Sequence, residues 1–319
     1  MRPHLVILGA GASRAALPCG DVNGRQLPLM KDLVDVLRLA PAMKEHGVEW
    51  EGRDFETIYG EPALSGLRAQ LEGVVESYFS ALELPGSPTL YDLLLLSLRD
   101  KDVIATFNWD PFLIQAYRRN HEKVPSLPRI LFLHGNVMAA YCPLDNVQGV
   151  RGARGSKCGL LFRPTRLLFP LSQKNYIDDP GIAAAWRDMR RIIKDALFVT
   201  VFGYGAPTSD QGAIELLSGA WRPSQQRFFE QFEVIDVRPE VELRIVWDRF
   251  IHTHHYDVVE RYSESWLANH PRRSVEAFFN QYIEAKLIDN NPVPVTCGTL
   301  DELWSWFAEL ACTETIEAV

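Results

Sequence analysis

Two short segments carry side chains suited to hydrogen bonding and proton transfer. Asn108-Trp109-Asp110-Pro111 follows the apolar run Val103-Ile104-Ala105-Thr106-Phe107, and His134-Gly135-Asn136 follows Ile130-Leu131-Phe132-Leu133. An amide, a carboxylate and an imidazole with a free pKa of about 6.5 can hold a polar ligand and take up a proton near neutral pH. In both segments the polar groups come where a strand ends, and open parallel sheets bind ligands beyond the carboxyl ends of their strands. The two segments are therefore expected to face one crevice. The plain alternatives are a strand-end histidine bonded to a backbone carbonyl for His134 and a helix N-cap for Asp110.

A third segment adds anion chemistry. His4-Leu5-Val6-Ile7-Leu8 reads as a buried strand of a parallel sheet, and Gly9-Ala10-Gly11-Ala12-Ser13 as the tight turn after it. Gly9 and Gly11 lack a Cβ, so the backbone can turn sharply and admit a phosphate, while Ser13 is positioned to cap a helix whose amides favour an anion. The turn departs from the dehydrogenase pattern G-x-G-x-x-G, because Arg14 holds the sixth position and residues 15–21 read as loop. Arg14 either pairs with a pyrophosphate or stays solvated.

Two further loops belong to the same edge. Gly203-Tyr204-Gly205-Ala206-Pro207-Thr208-Ser209-Asp210, after a strand over 197–202, offers glycines and small hydroxyls to phosphate or ribose. Tyr204 lines the pocket or packs beneath it. Asp236, after a strand over 232–235, either accepts both hydrogen bonds of a ribose diol or caps a helix.

The elements that position these residues follow from periodicity. Helical spacing over 29–39, 67–82 and 90–98 predicts a helical layer inserted at about 28–99. Residues 139–166 show no periodicity and read as a long loop or small module. A helix over 181–195, the strands at 197–202 and 232–235, and a short helix at 213–217 continue the strand–helix alternation of a parallel sheet. Beyond residue 247 two apolar stripes and a capping box, Thr299-Leu300-Asp301-Glu302, predict a helical C-terminal extension over about 250–319. The expectation is a single α/β domain over 1–319, a Rossmann-like mostly parallel sheet with an inserted helical layer and that extension.

The 319 residues are 47% hydrophobic with a formal charge of -8, which disfavours direct nucleic-acid binding. The basic residues Arg151, Arg154, Lys157, Arg163 and Arg166 then read as a solvated loop. No apolar run approaches the roughly 20 residues of a membrane helix, and five scattered cysteines suit free thiols, so a cytoplasmic protein without membrane contact is expected. No C-x-x-C pair occurs, so Cys142 and Cys158 cannot form a four-cysteine zinc knuckle, and no zinc is expected. His252 and His254 have ligand spacing on a strand, but with His255 they read as a polar surface segment.

The motifs Gly9 to Ser13, Thr106-Phe107-Asn108-Trp109-Asp110, His134-Gly135 and Gly203 to Asp210, in this order, resemble those of the sirtuin superfamily. The resemblance covers about residues 4–16 and 100–240 and implies NAD as a consumed substrate. Deacylases of that superfamily usually have glutamine where Phe107 stands and a four-cysteine zinc module after the histidine. The chain therefore looks more like the bacterial sirtuin-like NAD hydrolases of antiphage (antiviral) defence, which implies a sensor or activator protein and a homo-oligomer as partners.

That resemblance implies an NAD glycohydrolase releasing nicotinamide and ADP-ribose. Asn108 would hold the ribose or the attacking water, His134 would accept a proton, and Asp110 would be a nicotinamide-side or structural carboxylate. NAD or ADP-ribose would bind through Gly9, Ala10, Gly11, Ala12, Ser13, Asn108, Asp110, Gly203, Tyr204 and Asp236. The alternatives are a zinc-free NAD-dependent protein deacylase or ADP-ribosyltransferase, and a non-catalytic module that binds NAD or ADP-ribose.

Overall fold

The computed structural model describes residues 2–124, 126–171, 174–221, 227, 229–251, 254–294 and 297–317. Strands β1 (His4–Leu8), β2 (Val103–Thr106) and β3 (Arg129–Phe132) precede the short strands β4 (Ala139–Cys142), β5 (Val147–Val150) and β6 (Arg163–Pro164). Then come β7 (Phe198–Phe202), β8 (Gln231–Ile235) and β9 (Tyr256–Val259). The main sheet has the order β3-β2-β1-β7-β8-β9 with every pair parallel. Counted along the chain, that is the third, second, first, fourth, fifth and sixth strand of the sheet, the order of a doubly wound Rossmann-like fold. The direction of winding reverses between β1 and β7, where such sheets open a crevice.

Alternation along β1 divides two cores. Val6 and Leu8 pack with Ile104, Phe202 and Ile235 beneath the inserted helical layer, which supplies Leu71, Val75 and Phe79 from the helix Arg68–Ser80. Leu5 and Ile7 pack on the opposite face with Val199, Val201 and Val234, covered by Trp186 and Met189 of the helix Pro180–Asp195. Both faces are buried, which is why these strands read as continuous apolar runs. The Pro180–Asp195 helix starts where Asp179 accepts hydrogen bonds from the Gly181 and Ile182 N–H groups, with Pro180 at its first position.

Three expectations change. The helix expected over 29–39 shrinks to Leu33–Val36: the Asp32 carboxylate accepts the Leu29 N–H at 2.6 Å, and Arg38 takes φ 55, which breaks the helical path. A helix, Ala10–Ala16, starts directly after Gly9, where the expectation was a turn through Ser13 and loop from residue 15. Of the long loop or small module expected over 139–166, the structure has the module, an antiparallel sheet, β5-β4-β6, whose strands of two to four residues are too short to display alternation.

The extension expected to be helical from about 250 contains β9, a four-residue edge strand that is partly exposed and so lacks an apolar run. The helices Ser274–Tyr282 and Leu300–Glu317 follow it, and Thr299 and Glu302 exchange the hydrogen bonds of the expected capping box. Among the described residues no helix is long and apolar enough to cross a membrane.

Candidate functional site

The glycine turn first serves the protein's own backbone. Gly9 N–H donates to Phe202 O at 3.0 Å, and Gly11 N–H donates to Gly203 O at 2.9 Å. A Cβ at Gly9 would lie 2.5 Å from Tyr204 Cα, one at Gly11 2.8 Å from Gly203 Cα, and one at Gly203 2.2 Å from Ala12 N. The close approach that the sequence reading assigned to a phosphate is thus made by the β7 loop. Gly9, Ala10, Gly11 and Ser13 still line a cavity of about 480 Å³ at the reversal point of the sheet, whereas Ala12 is fully buried behind it.

Ser13 is inside the helix that begins at Ala10, so it does not cap it. Its hydroxyl instead joins one wall of the cavity. Ser13 Oγ donates to Asp110 Oδ2 at 2.6 Å and shares a 2.6 Å hydrogen bond with the Tyr91 hydroxyl. Asn108 Nδ2 donates to Gly9 O, Ser13 Oγ and Tyr91 OH, at 2.9, 2.8 and 3.3 Å.

Asp110 Oδ1 accepts the Phe112 N–H at 3.2 Å, which satisfies one amide in the first turn of the helix Phe112–His121, whose N-cap is Pro111 rather than Asp110. Burial pushes the Asp110 carboxyl up to about 6, although Ser13 and the Phe112 amide oppose that shift. The Ser13, Tyr91 and Asp110 side chains of this wall are all hydrogen-bonded, whereas the neighbouring Trp109 Nε1 is buried without a partner. Asn108 Oδ1 accepts no hydrogen bond among the described residues, and Asn108 lines the cavity.

The facing wall is built from β3, β7 and the segment before the Pro180–Asp195 helix. His134 is buried at the end of β3, with Phe107 edge-on at 4.7 Å, and Phe107 stacks on Tyr204 at 4.0 Å. Tyr204 OH donates to Asp210 Oδ2 at 2.8 Å, while Lys174 Nζ donates to Asp210 Oδ1 and to Ser209 O. Glu56, from the helical layer, accepts the Ser209 N–H at 2.7 Å.

His134 Nε2 lies 3.7 Å from Asp210 Oδ1, beyond hydrogen-bond length, and has no hydrogen-bond partner. Burial lowers the His134 pKa to about 4; Asp210 opposes the shift and Lys174 reinforces it. Burial also pushes the Asp210 carboxyl up, but His134, Lys174 and Tyr204 outweigh it and hold that group below the usual carboxylate range. At neutral pH the site therefore presents a neutral imidazole next to a carboxylate.

Asp236 and Arg238 line the adjoining part of the cavity. The Arg238 guanidinium donates to both Asp236 oxygens, at 3.1 and 2.8 Å, so a ribose diol on Asp236 must compete with that pair. The helix Glu240–Trp247 is preceded by Pro239, so Asp236 is not its N-cap. Arg14 pairs with Asp32 on the surface at 2.7 Å, and Arg151 with Glu76 at the same distance. His252 lies outside the described residues, and the His254 and His255 rings stack at 4.5 Å.

Sequence reasoning brought Asn108, Asp110, His134, Gly203 and Tyr204 to one edge, and the fold does so. It missed Lys174 and Glu56, which lie in stretches without strand or motif signal, and read Asp210 only as part of a phosphate loop.

No protein-family model matches the chain. No curated protein matches it either. Among solved structures it is similar to a Sir2 homologue in complex with NAD, at 15% identity and TM-score 0.42, covering 80% of this chain and 83% of that one. It is also similar to Sir2 bound to an acetylated peptide, at 16% identity and TM-score 0.39, covering 89% and 93%.

Proposed function

We propose that the chain takes NAD as a substrate in the cavity between β1 and β7 and hydrolyses its nicotinamide–ribose bond. The observation that carries this reading is His134 Nε2, a buried nitrogen without a partner, on a residue that lines a cavity at the carboxyl edge of a doubly wound sheet. Buried polar atoms are nearly always satisfied, so an orphan at such an edge points to a ligand or a water. The sirtuin-like order of the motifs supports NAD as the ligand.

In the proposed reaction nicotinamide leaves C1 of the ribose through an oxocarbenium-like state, and water supplies the oxygen of ADP-ribose. Neutral His134 accepts the proton of that water, and the Asp210 carboxylate 3.7 Å away stabilises the resulting imidazolium. Asn108 is fixed by its amide nitrogen, which leaves Oδ1 for the ribose or the water. Nicotinamide release followed by chromatography tests the reading. Wild-type protein is expected to release nicotinamide without an acyl-lysine substrate, and a folded His134→Ala variant to lose that activity.

The reading extends to an effector of antiphage defence that is triggered by a sensor or activator protein and works as a homo-oligomer. Cells expressing the chain are expected to lose NAD on phage infection, and cells with His134→Ala to keep it. A deacylase or ADP-ribosyltransferase reading draws on a second cavity of about 350 Å³ that shares Leu168 and Lys174 with the first and holds Glu72, Glu76, Asp178 and Asp179. Those carboxylates suit a cationic peptide. Nicotinamide release that requires an acyl-lysine peptide would favour this alternative, and NAD binding without any release would favour a regulatory module.

A further inference from the structure

The β4-β5-β6 sheet holds a cluster that the proposed reaction does not use. Cys142 at the end of β4 is buried, Cys158 is half-buried, and their Sγ atoms are 3.3 Å apart across a sequence separation of 16. The Asp145 carboxylate completes the cluster, with all three ligand atoms within 4.8 Å of one another. Asp145 N–H donates to Cys142 Sγ at 3.4 Å, and the Asp145 carboxylate accepts the Lys157 N–H at 3.1 Å.

A zinc ion does not suit this donor set. A closed structural site takes four protein ligands, and among the described residues this group offers three. The spacing also disagrees: two thiolates on one tetrahedral zinc, at about 2.3 Å each, stand about 3.8 Å apart. A Cβ at Gly155 would lie 2.4 Å from both Asp145 Oδ2 and Cys158 Sγ, so the side chains already pack tightly around that glycine. Two sulfurs in direct contact, with one partly open to solvent, are instead arranged as a dithiol pair.

We propose that Cys142 and Cys158 form a redox modification site in which a hydroperoxide converts the pair to an intramolecular disulfide. The Cys158 thiolate attacks the peroxide, breaks its O–O bond and becomes a sulfenic acid as hydroxide leaves. Cys142 sulfur then attacks Cys158 sulfur, displaces its oxygen as water and gives up its own proton. Two thiols and one hydrogen peroxide thus yield one disulfide and two waters.

The bond fastens the end of β4 to the turn closed by the Arg154↔Leu161 bridge. That module is tied to the cavity wall, because Thr165 N–H donates to Ala139 O and Leu168 N–H to His134 O. Leu160 N–H favours the Cys158 thiolate, but the Cys142 thiol, burial and Asp145 outweigh it and keep the thiol above its ordinary pKa. Oxidation is therefore expected to be slow at neutral pH and to accelerate as the solution becomes alkaline.

The test is peptide mapping by mass spectrometry of the whole chain after hydrogen peroxide treatment, preceded by metal analysis of the untreated protein. The expected result is a peptide linking Cys142 to Cys158, lighter by two hydrogens and restored by dithiothreitol, with a melting midpoint that rises on oxidation. In Cys142→Ser, Cys158 is expected to be trapped as sulfenic acid by dimedone. Stoichiometric zinc that is lost on replacing both cysteines would overturn the proposal. So would a linkage through Cys19, Cys297 or Cys312, or two thiols that stay reduced.

Discussion

The two walls of the cavity are both polar, buried and drawn from strand ends, yet their hydrogen bonding differs. Around Ser13 the hydroxyl donates to Asp110 and receives Asn108, with Tyr91 sharing a further bond, while Asn108 Oδ1 and the neighbouring Trp109 Nε1 have no partner among the described residues. Around His134 the carboxylate of Asp210 is occupied by Lys174 and Tyr204 while the imidazole Nε2 has nothing. The interlinked bonds through Ser13 rigidify the turn, and an atom left unpartnered retains capacity for a ligand. The comparison separates two residues that look alike in the sequence: His134 is the proposed base, and Asn108 is first a brace of the glycine turn.

The largest expected effect breaks the two walls apart kinetically. His134→Ala should lower nicotinamide release by about 10²- to 10⁴-fold, the usual loss on removing a general base. Asn108→Ala should also nearly abolish turnover, but with an added cost in stability of about 1–3 kcal/mol because Gly9 O, Ser13 and Tyr91 lose a common donor. Chromatographic rates paired with urea unfolding measure both quantities. A His134 variant that unfolds as readily as the Asn108 variant would erase the distinction.

Next in size is Ser13→Ala, which leaves the buried Asp110 carboxyl without its hydroxyl donor. A loss of about 1–3 kcal/mol in chemical denaturation is expected, with NAD affinity reduced far less than in variants that alter the cavity side. Isothermal titration calorimetry on the folded variant supplies the second measurement.

Acidification should move the walls in opposite directions. His134 titrates at about 4 in the fold against 6.5 unfolded, so between those values the unfolded chain binds more protons and this group's contribution to stability is lost as pH falls. Asp110 titrates at about 6 against 3.8, so between those values the folded chain binds more protons and stability is lost as pH rises through about 6. Relative to wild type, His134→Gln should therefore gain stability between about pH 7 and 5 and Asp110→Asn should lose it, each by about 1–3 kcal/mol. The same His134 shift predicts that kcat/KM falls on the acid side near pH 4, where the base becomes protonated.

The smallest effect is expected outside both walls. Arg14 follows the turn but pairs with Asp32 on a largely exposed surface, so Arg14→Ala should change stability by less than about 0.5 kcal/mol and leave NAD affinity unaltered in calorimetry. A strong loss of affinity would extend the ligand site to the first helix and restore the pyrophosphate role considered for this arginine.

Much of the fold was legible because both faces of the central strands are covered. Residues 5–8, 103–107 and 197–202 read as strands from largely apolar runs, and the polar groups that follow them read as an edge. β9 was not legible because an edge strand with exposed positions carries no such run. The β4-β5-β6 sheet was hidden for a related reason: pairing over two to four residues leaves no period to detect.

The site divides in the same way. Residue types and local order alone determined that Asn108, Asp110 and His134 stand at strand ends and that glycines close the turns after β1 and β7. Only the tertiary structure decided what each of them does. Lys174 and Asp210 meet across 36 residues, and Asp210 reaches His134 only because the crossover from β3 to β7 returns the chain to the same edge of the sheet. Burial then sets the proton affinities, and packing decides that Gly9 and Gly11 admit the Gly203 and Tyr204 backbone. Local sequence specifies which groups are present, whereas desolvation and partner choice arise from contacts between segments distant in the chain.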